Sequence, residues 1–375
     1  MPLTMEHIPT SQVAIPIGEL IAVSGANGSM GSHICNQLLS LGYLVRGIVR
    51  SKERSAWLVN YFRNKYRAGL FELTEVPDMT IPGACDEALA GAAGVIHVAA
   101  DTSLELDPDV VVPRIIATTM GIAKSAAKSL TCKRFVYTSS SSAVSEPEPG
   151  VPRTLTPATF NEEVITLAYS KDLPGGIVGG HMVYAAGKTK AEQELWNWHH
   201  ETSPQMVLNV VIPSPCFGSV LSPEKQGYSA ANRVLKMLWD GDSSDDVANA
   251  LIARNFTRPS GQPRCLFGTN TEKEWFCDVK DVSTLHVGAL LLDQVKSERL
   301  FAYAARYTIN DILAIFRDLS AGKTFRDDVA DAKSDLTDVP NKTSSEVLGL
   351  FGLSRWTTLE ECLALLVKQW RELSE

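Results

Sequence analysis

Several features are missing from this sequence of 375 residues, and each absence excludes a class of protein. No run of about 18 apolar residues occurs, which argues against a helix that spans a membrane. The first 20 residues contain three prolines and no basic segment, so we expect neither a signal peptide nor a membrane anchor. Basic residues are not in excess. The 35 lysines and arginines against 43 acidic residues give a net charge of -8, which argues against nucleic-acid binding.

The cysteines have neither disulfide nor metal-binding spacing. There are seven, widely spaced, and the chain has neither a CxxC motif nor two histidines four residues apart. We therefore expect free, buried thiols in a reducing compartment, the cytoplasm, and no metal site. With 45% hydrophobic and 21% charged residues the composition is that of an ordinary globular protein. The length favours about two domains.

Short β-branched runs alternate with helical patterns in the first half of the chain. The first predicted strand, at residues 20–23, is followed by a glycine turn and a helix over 29–41. Further strands are predicted at residues 43–49, 70–73, 94–99, 134–138 and 206–212. Repeated strand-helix-strand units predict an α/β fold, a doubly wound parallel sheet of the Rossmann type.

The pattern changes after Pro213, where proline, glycine and polar clusters separate short apolar segments. This change predicts a smaller C-terminal substrate-binding lobe, made of residues 213–274 and 306–375. The dinucleotide-binding Rossmann domain is then expected over residues 18–212 and 275–305.

Three further segments complete this prediction. Residues 275–282 resemble a strand that enters a helix reaching about residue 295. Residues 358–373 have the apolar spacing of an amphipathic helix. Residues 1–17 have no periodicity, and we expect them to form a flexible tail.

A glycine-rich turn connects the first strand to the first helix, with the spacing GxxGxxG instead of GxGxxG. Glycines allow a tight turn and bring backbone N–H groups close to a pyrophosphate, which a helix N-terminus also favours. A turn that merely starts a helix is the alternative, but the position after the first buried strand favours dinucleotide binding. The cofactor contacts expected in this turn are Gly25, Asn27, Gly28, Ser29, Met30 and Gly31.

The end of the second strand indicates which dinucleotide binds. NAD-binding sheets usually have a carboxylate about 20 residues after the glycines, on the ribose 2′-hydroxyl. Here the strand ends in Arg50 without a carboxylate, and a guanidinium suits the 2′-phosphate of NADP(H). The alternative is that Arg50 is only a solvated charge. Asp78 and Met79, in the loop after the third strand, are the expected adenine contacts.

Tyr184 and Lys188 lie one helical turn apart in a helix predicted from residue 184 to about 200. Residues with this spacing share a face of the helix. A fixed charge lowers the pKa of a nearby phenol, so we expect Lys188 to lower the pKa of Tyr184 and to reach the ribose hydroxyls of the cofactor. YxxxK alone is a common chance pattern, but the glycine turn upstream favours a catalytic pair.

Hydroxyl side chains occupy residues 138–142, at the end of the fifth predicted strand of the sheet. A serine at the carboxyl end of a parallel strand faces the ligand crevice, where its hydroxyl can hydrogen-bond a substrate carbonyl. Most of these serines are also explained as polar caps of the strand end.

Together these motifs resemble the extended short-chain dehydrogenase/reductase family, and most closely its NADPH-dependent branch of fungal aldehyde (carbonyl) reductases, dihydroflavonol reductases and cinnamoyl-CoA reductases. The matching stretches are residues 23–33, 42–50, 91–100, 134–140, 184–188 and 275–282. The resemblance implies that Ser140 is the catalytic serine, Tyr184 the acid and Lys188 the lysine. The remaining cofactor contacts that we expect are Ala99, Pro213, Ser214 and Cys216.

The chain departs from the family pattern at three places. The asparagine usual in the helix after Asp107 is missing, since residues 114–120 read Arg-Ile-Ile-Ala-Thr-Thr-Met. Gly187 stands where serine or threonine is usual, and Ser29-Met30 replaces an aromatic and branched pair.

The function expected from these motifs is NADPH-dependent reduction of an aldehyde or ketone. An NAD(P)-dependent epimerase, dehydratase or hydroxysteroid-type dehydrogenase is the alternative that Arg50 disfavours. A catalytically silent NADP-binding regulatory protein is the alternative that Tyr184 and Lys188 disfavour. A homodimer is also expected.

The substrate is expected to be uncharged and apolar or partly aromatic. Its pocket wall is predicted from apolar side chains of the C-terminal lobe, which alternatively form that lobe's own core: Phe217, Val220, Leu221, Tyr228 and Trp239. The glycine-rich residues 174–180, directly upstream of the catalytic tyrosine, are predicted to be a mobile lid.

Overall fold

A parallel sheet of seven strands forms the centre of the computed structural model, which describes residues 8–146, 151–241, 274–320, 322–328 and 335–373. The strands are β1 (Leu20–Ser24), β2 (Leu44–Val49), β3 (Phe71–Glu75), β4 (Gly94–His97), β5 (Arg134–Thr138), β7 (Val207–Pro213) and β10 (Arg299–Ala302). Their order in the sheet is β3-β2-β1-β4-β5-β7-β10. This doubly wound order places a ligand crevice outside the carboxyl ends of the strands, where the order reverses between β1 and β4. The predicted fold class is confirmed.

Helices cover both faces of this sheet. They are α1 (Ser29–Ser40), α2 (Lys52–Lys65), α3 (Pro108–Lys128), α4 (Glu162–Ala168), α5 (Gly176–Thr202), α6 (Pro223–Gln226), α7 (Ala230–Asp240), α8 (Val279–Leu291), α9 (Ile309–Leu319), α10 (Lys342–Leu350) and α11 (Leu359–Glu372). Helices α1 and α8 pack together on one face, and α3 packs along α5 on the other. Both faces of the sheet are therefore buried, as its β-branched strands require.

Two smaller sheets accompany the main one. One contains β8 (Cys216–Phe217), β9 (Glu274–Asp278) and β11 (Ala305–Tyr307), in the order β11-β9-β8. The other pairs β6 (Arg153–Thr154) with β12 (Thr337–Asp338). The core of the smaller lobe lies between its three-stranded sheet and helices α7, α9 and α11. The N-termini of α9 and α11 are stabilised by capping boxes, which Thr308 and Thr358 each form with an acidic residue three positions later.

The borders between the lobes differ from the expected ones. Strand β9 pairs with β8 and β11 of the smaller lobe, so the predicted strand at 275–282 is not part of the main sheet. The main sheet instead gains β10, which the sequence patterns did not indicate. Helix α10, expected in the smaller lobe, packs against α8 because Val347 fits directly over Gly288. The central part of the predicted lobe, residues 242–273, lies outside the described residues.

Residues 8–17 pack against the rest of the fold and do not form the expected flexible tail. Ile8 and Ile15 are buried, and Val13 forms a bridge with Leu292. The hydroxyl of Tyr43 donates a 2.7 Å hydrogen bond to the carbonyl oxygen of Ile15. Apolar side chains spaced irregularly in the sequence thus hold this segment on the sheet.

Helix α3 is long and apolar enough to cross a membrane by length and composition alone. Half of its most apolar stretch is buried inside the fold, where it packs between the sheet and α5. A core helix has the same composition, so this feature is explained by packing.

Candidate active site

A cavity of about 360 Å³ lies at the carboxyl ends of the central strands, between the two lobes. Seven of the sixteen predicted site residues converge on it from separate parts of the chain. Those that line its wall are Met30, Ser140, Tyr184, Lys188, Pro213, Ser214 and Cys216. The structure therefore brings together the glycine turn, the end of β5, helix α5 and the end of β7.

The glycine turn is packed too tightly to hold side chains at two positions. Gly25 has a φ of +66°, and a Cβ atom there would lie 2.9 Å from the amide nitrogen of Ala99. A Cβ atom on Gly31 would lie 2.2 Å from the carbonyl oxygen of Gly25. Helix α1 begins directly at this turn, and no side chain caps its N-terminus. Its first N–H groups are thus available to a pyrophosphate, and the turn fits a dinucleotide.

Gln226 of the smaller lobe holds this turn from the other side. Its Nε2 atom donates hydrogen bonds to the carbonyl oxygens of Asn27 and Gly28, at 3.2 and 3.1 Å, and to the hydroxyl of Ser32 at 2.8 Å. The contacts use carbonyl and hydroxyl oxygens, so Gln226 does not occupy the N–H groups of the turn. Sequence analysis did not find this residue, because its partners lie almost 200 positions away.

The other expected cofactor contacts lie outside the cavity wall. Arg50 is exposed directly after β2, and Asp78 is exposed in the loop after β3. The carboxylate of Asp78 accepts hydrogen bonds from the backbone N–H and the hydroxyl of Thr80, which lower its pKa. Met79 is buried. These residues follow β2 and β3, the two strands at one edge of the sheet.

Tyr184 keeps its proton at neutral pH. Burial raises the pKa of the Tyr184 phenol to about 12, and a hydrogen bond with the side chain of Ser140 opposes this shift. The prediction that Lys188 lowers the pKa of Tyr184 is wrong for this arrangement of side chains. The ammonium of Lys188 donates its hydrogen bond to a different group and not to the phenol.

That partner is the last residue of β5. Nζ of Lys188 donates a 2.6 Å hydrogen bond to the carbonyl oxygen of Thr138 and lies 4.3 Å from the centre of the Tyr137 ring. Burial lowers the pKa of Lys188 to about 7, while the negative charge of Glu192 favours the protonated form. Lys188 is thus charged or neutral in comparable amounts near physiological pH.

Glu192 is the centre of a buried polar cluster behind the catalytic residues. Its side chain is fully buried and accepts a 2.7 Å hydrogen bond from Nε of Arg299, which is 5% exposed. Its second oxygen accepts a hydrogen bond from the hydroxyl of Ser139, next to Ser140. Sequence analysis missed Glu192, although its position four residues after Lys188 places both on one face of α5.

The family model comparison gives the relationship of this chain to known proteins. Residues 21–301 match the NAD dependent epimerase/dehydratase family. The chain belongs to this family. Its resemblance to the extended short-chain dehydrogenase/reductases, inferred from the sequence motifs, is confirmed.

Individual relatives of this epimerase/dehydratase family protein cover nearly its whole length. Aldehyde reductase 2 of Sporidiobolus salmonicolor is 35% identical over 355 residues, which are 94% of this chain and 96% of the relative. The NAD-dependent epimerase/dehydratase terH of Aspergillus terreus is 33% identical over 351 residues, again 94% and 96%. A solved structure, yeast methylglyoxal/isovaleraldehyde reductase Gre2 complexed with NADPH, has a TM-score of 0.73 at 22% identity, covering 95% of this chain and 99% of that chain. This structural likeness shows the fold.

The substrate side of the cavity differs from the expected wall. The aromatic and apolar residues predicted there form the core of the smaller lobe or pack under it. The ring of Phe217 stacks on Phe276 at 6.0 Å, and Trp239 lies 5.3 Å from Phe316. Val220 is buried, Tyr228 packs on Trp370, and Leu221 packs on the core of the main sheet. The prediction of these five residues as a pocket wall is therefore wrong.

The actual wall combines apolar side chains with carboxylates. Its apolar part includes Leu155, Ile177, Trp275 and Tyr303, and its acidic part consists of Glu146, Glu274 and Asp335. Among the residues that the structure describes, Lys188 is the only lysine or arginine on this wall.

The second half of the predicted lid is helical and tightly packed, which argues against mobility of Gly179 and Gly180, whereas a Cβ atom on Gly175 or Gly176 would meet no atom within 4 Å. Helix α5 begins at Gly176, eight residues before Tyr184. A Cβ atom on Gly180 would lie 2.0 Å from the carbonyl oxygen of Leu104. Gly187, the departure from the family pattern, lets Ile115 of α3 approach the helix, since a Cβ atom there would lie 2.5 Å from its Cδ1. Gly179, Gly180 and Gly187 therefore serve close packing.

Proposed function

We propose that this protein is an NADPH-dependent reductase that converts an aldehyde or ketone to the alcohol. The observation that carries the proposal is the convergence of Ser140, Tyr184 and Lys188 on one cavity beside a dinucleotide-binding glycine turn. The relatives support it, since one is named an aldehyde reductase and a structural neighbour was solved with NADPH.

The protonation state of Tyr184 favours reduction. A carbonyl oxygen gains negative charge as it accepts hydride, and it needs a proton donor within hydrogen-bond reach. The high pKa of Tyr184 keeps its proton in place until the oxygen becomes basic enough to take it. Ser140 donates a hydrogen bond to the same oxygen and stabilises its developing charge. NADPH supplies the hydride when it is bound at the glycine turn.

Lys188 has two roles in this proposal. Its ammonium, when charged, stabilises the phenolate that Tyr184 becomes after proton transfer. Its position next to the cavity also allows it to bind the ribose hydroxyls of the cofactor. The contact with Thr138 holds the amine near both sites in the meantime.

The preference for NADPH over NADH rests on Arg50. Arg50 is exposed at the end of β2, and neither β2 nor the three residues after it contain a carboxylate that could bind a ribose 2′-hydroxyl. A guanidinium there forms bidentate hydrogen bonds with a 2′-phosphate.

The wall of the cavity selects an uncharged substrate. Three carboxylates would repel phosphate groups, and only Lys188 offers a compensating charge among the described wall residues. Leu155, Ile177 and Trp275 supply apolar contacts next to the catalytic residues. Hydrophobic or aromatic aldehydes and ketones therefore fit this cavity better than sugar nucleotides.

We also propose that the protein is cytoplasmic and forms a homodimer. Six cysteines in the described part of the chain are free thiols, which suits a reducing compartment. Exposed apolar side chains of Leu106, Val110, Tyr169 and Ile177 lie near the first turns of α3 and α5 and would be covered in a dimer. Light scattering of the purified protein measures the dimer directly.

A substrate panel tests the proposed function. NADPH oxidation is followed with aryl aldehydes, long-chain aldehydes and β-ketoesters, and with sugar nucleotides and short polar ketones as comparison. We expect the first group to have the higher kcat/KM. Preference for a nucleotide-linked sugar would support an epimerase or dehydratase instead. Cofactor binding without turnover of any carbonyl compound would support a regulatory protein.

A further inference from the structure

Two helices begin after the carboxyl ends of β1 and β2, and their N-termini differ. Helix α1 begins at the glycine turn, and no side chain caps it. Helix α2 begins at Lys52, and its backbone N–H donates a 2.6 Å hydrogen bond to Oε2 of Glu75. The N–H of Arg54 donates to Oγ of Ser51 at 3.3 Å. The protein's own side chains therefore occupy two of the first three N–H groups of α2, and one of these side chains is a carboxylate.

Glu75 reaches α2 from the neighbouring strand. It is the last residue of β3 and lies opposite Val49, the last residue of β2, in the parallel pairing of these strands. The N–H of Val76 donates a 2.9 Å hydrogen bond to the carbonyl oxygen of Val49, so the pairing continues past Glu75. Arg50, the proposed contact of the ribose 2′-phosphate, follows Val49 directly. The two strands thus place a carboxylate beside the strand tip that holds this arginine.

A carboxylate at this place disfavours a 2′-phosphate more than a 2′-hydroxyl. A phosphate group has about two negative charges near pH 7, and a helix N-terminus with free N–H groups stabilises it. Glu75 weakens both effects, because it repels a second anion and already accepts the hydrogen bond of the Lys52 N–H. The ribose of NADH has an uncharged hydroxyl at its 2′-position, so charge repulsion is absent there.

We propose that Glu75 limits the preference of this protein for NADPH by occupying the N-terminus of α2. This inference rests on the proposed function, in which Arg50 binds the 2′-phosphate. The two side chains then have opposite effects at the same end of the cofactor, since the guanidinium favours NADPH and the carboxylate disfavours it. The residues that follow β2 in the sequence do not reveal this second determinant, because it belongs to the next strand of the sheet.

Glu75→Gln tests this role, since glutamine keeps an acceptor oxygen for the N–H of Lys52 and removes only the charge. Calorimetric titration with NADPH and NADH measures binding without turnover. We expect the variant to bind NADPH about threefold to tenfold more tightly than wild type, and NADH within about twofold of it. Adenosine 2′,5′-bisphosphate and 5′-AMP, which lack the nicotinamide, should show the same difference. The gain should shrink in about 1 M salt, where the Debye length is about 3 Å.

Glu72→Gln is the matched control on the same strand. Glu72 is exposed, lies three residues before Glu75, and pairs with Arg46 at 2.6 Å. Its substitution therefore changes the net charge of the protein equally, but away from the strand tip. We expect both dissociation constants of this variant to stay within about twofold of wild type.

The outcomes separate this role from the proposed function. If wild type reduces no carbonyl compound with NADPH, the reductase proposal fails, while the titrations still decide the role of Glu75. If Glu75→Gln binds NADPH as wild type does or more weakly, the inference is overturned and the reductase proposal remains. An equal gain for NADPH and NADH, or the same gain in Glu72→Gln, would overturn it as well, because net charge would then explain the effect. Absence of dinucleotide binding by both wild type and Glu75→Gln would overturn both proposals.

Discussion

The ammonium of Lys188 donates its hydrogen bond to the carbonyl oxygen of Thr138, 2.6 Å away, and not to the phenol of Tyr184. This contact joins the catalytic helix to the end of β5, two residues before Ser140. The ammonium is buried, and its hydrogen-bond acceptor is a neutral carbonyl oxygen instead of a carboxylate. The protonation of Lys188 therefore makes a pH-dependent contribution to the free energy of unfolding.

We expect Lys188→Met to stabilise the cofactor-free protein at low pH relative to wild type. Burial lowers the pKa of Lys188 from 10.5 to about 7 on folding. Between these two values the unfolded chain binds more protons, so this group makes the wild type more stable as pH rises. The difference in unfolding free energy between variant and wild type should thus be largest below pH 7 and shrink towards pH 10.5. Denaturant unfolding over this range measures it, and a difference independent of pH would contradict the shift.

Tyr184→Phe should lower kcat by about 10²-fold or more, since it removes the proton donor. The ring remains, so the dissociation constant of NADPH should stay nearly unchanged. Stopped-flow hydride transfer and fluorescence titration measure the two quantities. Retention of more than about a tenth of wild-type turnover in the chemical step would show that another group is the acid.

Arg50→Ala should weaken NADPH binding about tenfold or more and leave NADH binding unchanged, because a charged hydrogen bond to phosphate is lost. Arg63→Ala, exposed near the far end of α2, is the control with the same change of charge. Calorimetric titration with both dinucleotides measures the effect. Equal dissociation constants of wild type for NADPH and NADH would refute the assignment of Arg50. Val49 is buried and is best left unchanged in this experiment.

Gln226→Ala should weaken NADPH and NADH binding by the same factor. Its carboxamide holds the glycine turn, which contacts the pyrophosphate common to both cofactors. We expect a loss of about fivefold to tenfold, the usual value of one or two net hydrogen bonds. The same calorimetric titration distinguishes it from Arg50→Ala, whose effect is confined to NADPH. An effect on one cofactor alone would contradict this role.

Gly180→Ala should lower the free energy of unfolding by more than about 1 kcal/mol, because the new methyl group meets a backbone carbonyl. The closest atom, the oxygen of Leu104, lies 2.0 Å from the position of the added carbon. Gly349→Ala is the matched control, since no atom lies within 4 Å of its added carbon. Denaturant unfolding of both variants makes the comparison. Equal stability of Gly180→Ala and wild type would mean that the backbone near Leu104 moves away from the added methyl group at little cost in free energy.

The parts of the fold that the sequence predicted are those with local signals. Buried parallel strands are short apolar runs, so the first five strands and β7 were located within two residues. Strand β10 was missed because its four residues, Arg299 to Ala302, follow a long helix without a turn signal of their own. The predicted helix at Tyr184 began too late, since glycines normally disfavour helices, and here Gly179 and Gly180 are required by neighbouring backbone.

The proposed catalytic residues could be identified from the sequence, but the residues of the cavity wall could not. Ser140, Tyr184 and Lys188 follow a fixed spacing and order, which a single sequence displays. The wall is assembled from Leu155, Trp275, Tyr303 and Asp335, which share no spacing and meet only after the lobes have packed. Apolar residues such as Phe217 suit a pocket or a core equally well, and only their neighbours decide between them.

The pairing of Glu192 with Arg299 spans 107 residues of the chain. During synthesis the helix with Tyr184 and Lys188 leaves the ribosome well before the strand that neutralises Glu192, because translation adds about 5–20 residues per second. Until then the carboxylate of Glu192 lacks the guanidinium of Arg299, and burying it without this partner would cost about 3–5 kcal/mol. The nucleotide-binding motifs are thus complete early, whereas the catalytic centre is assembled late, when β10 joins the edge of the sheet. A polypeptide that stops before this strand would retain each cofactor motif and lack a working site.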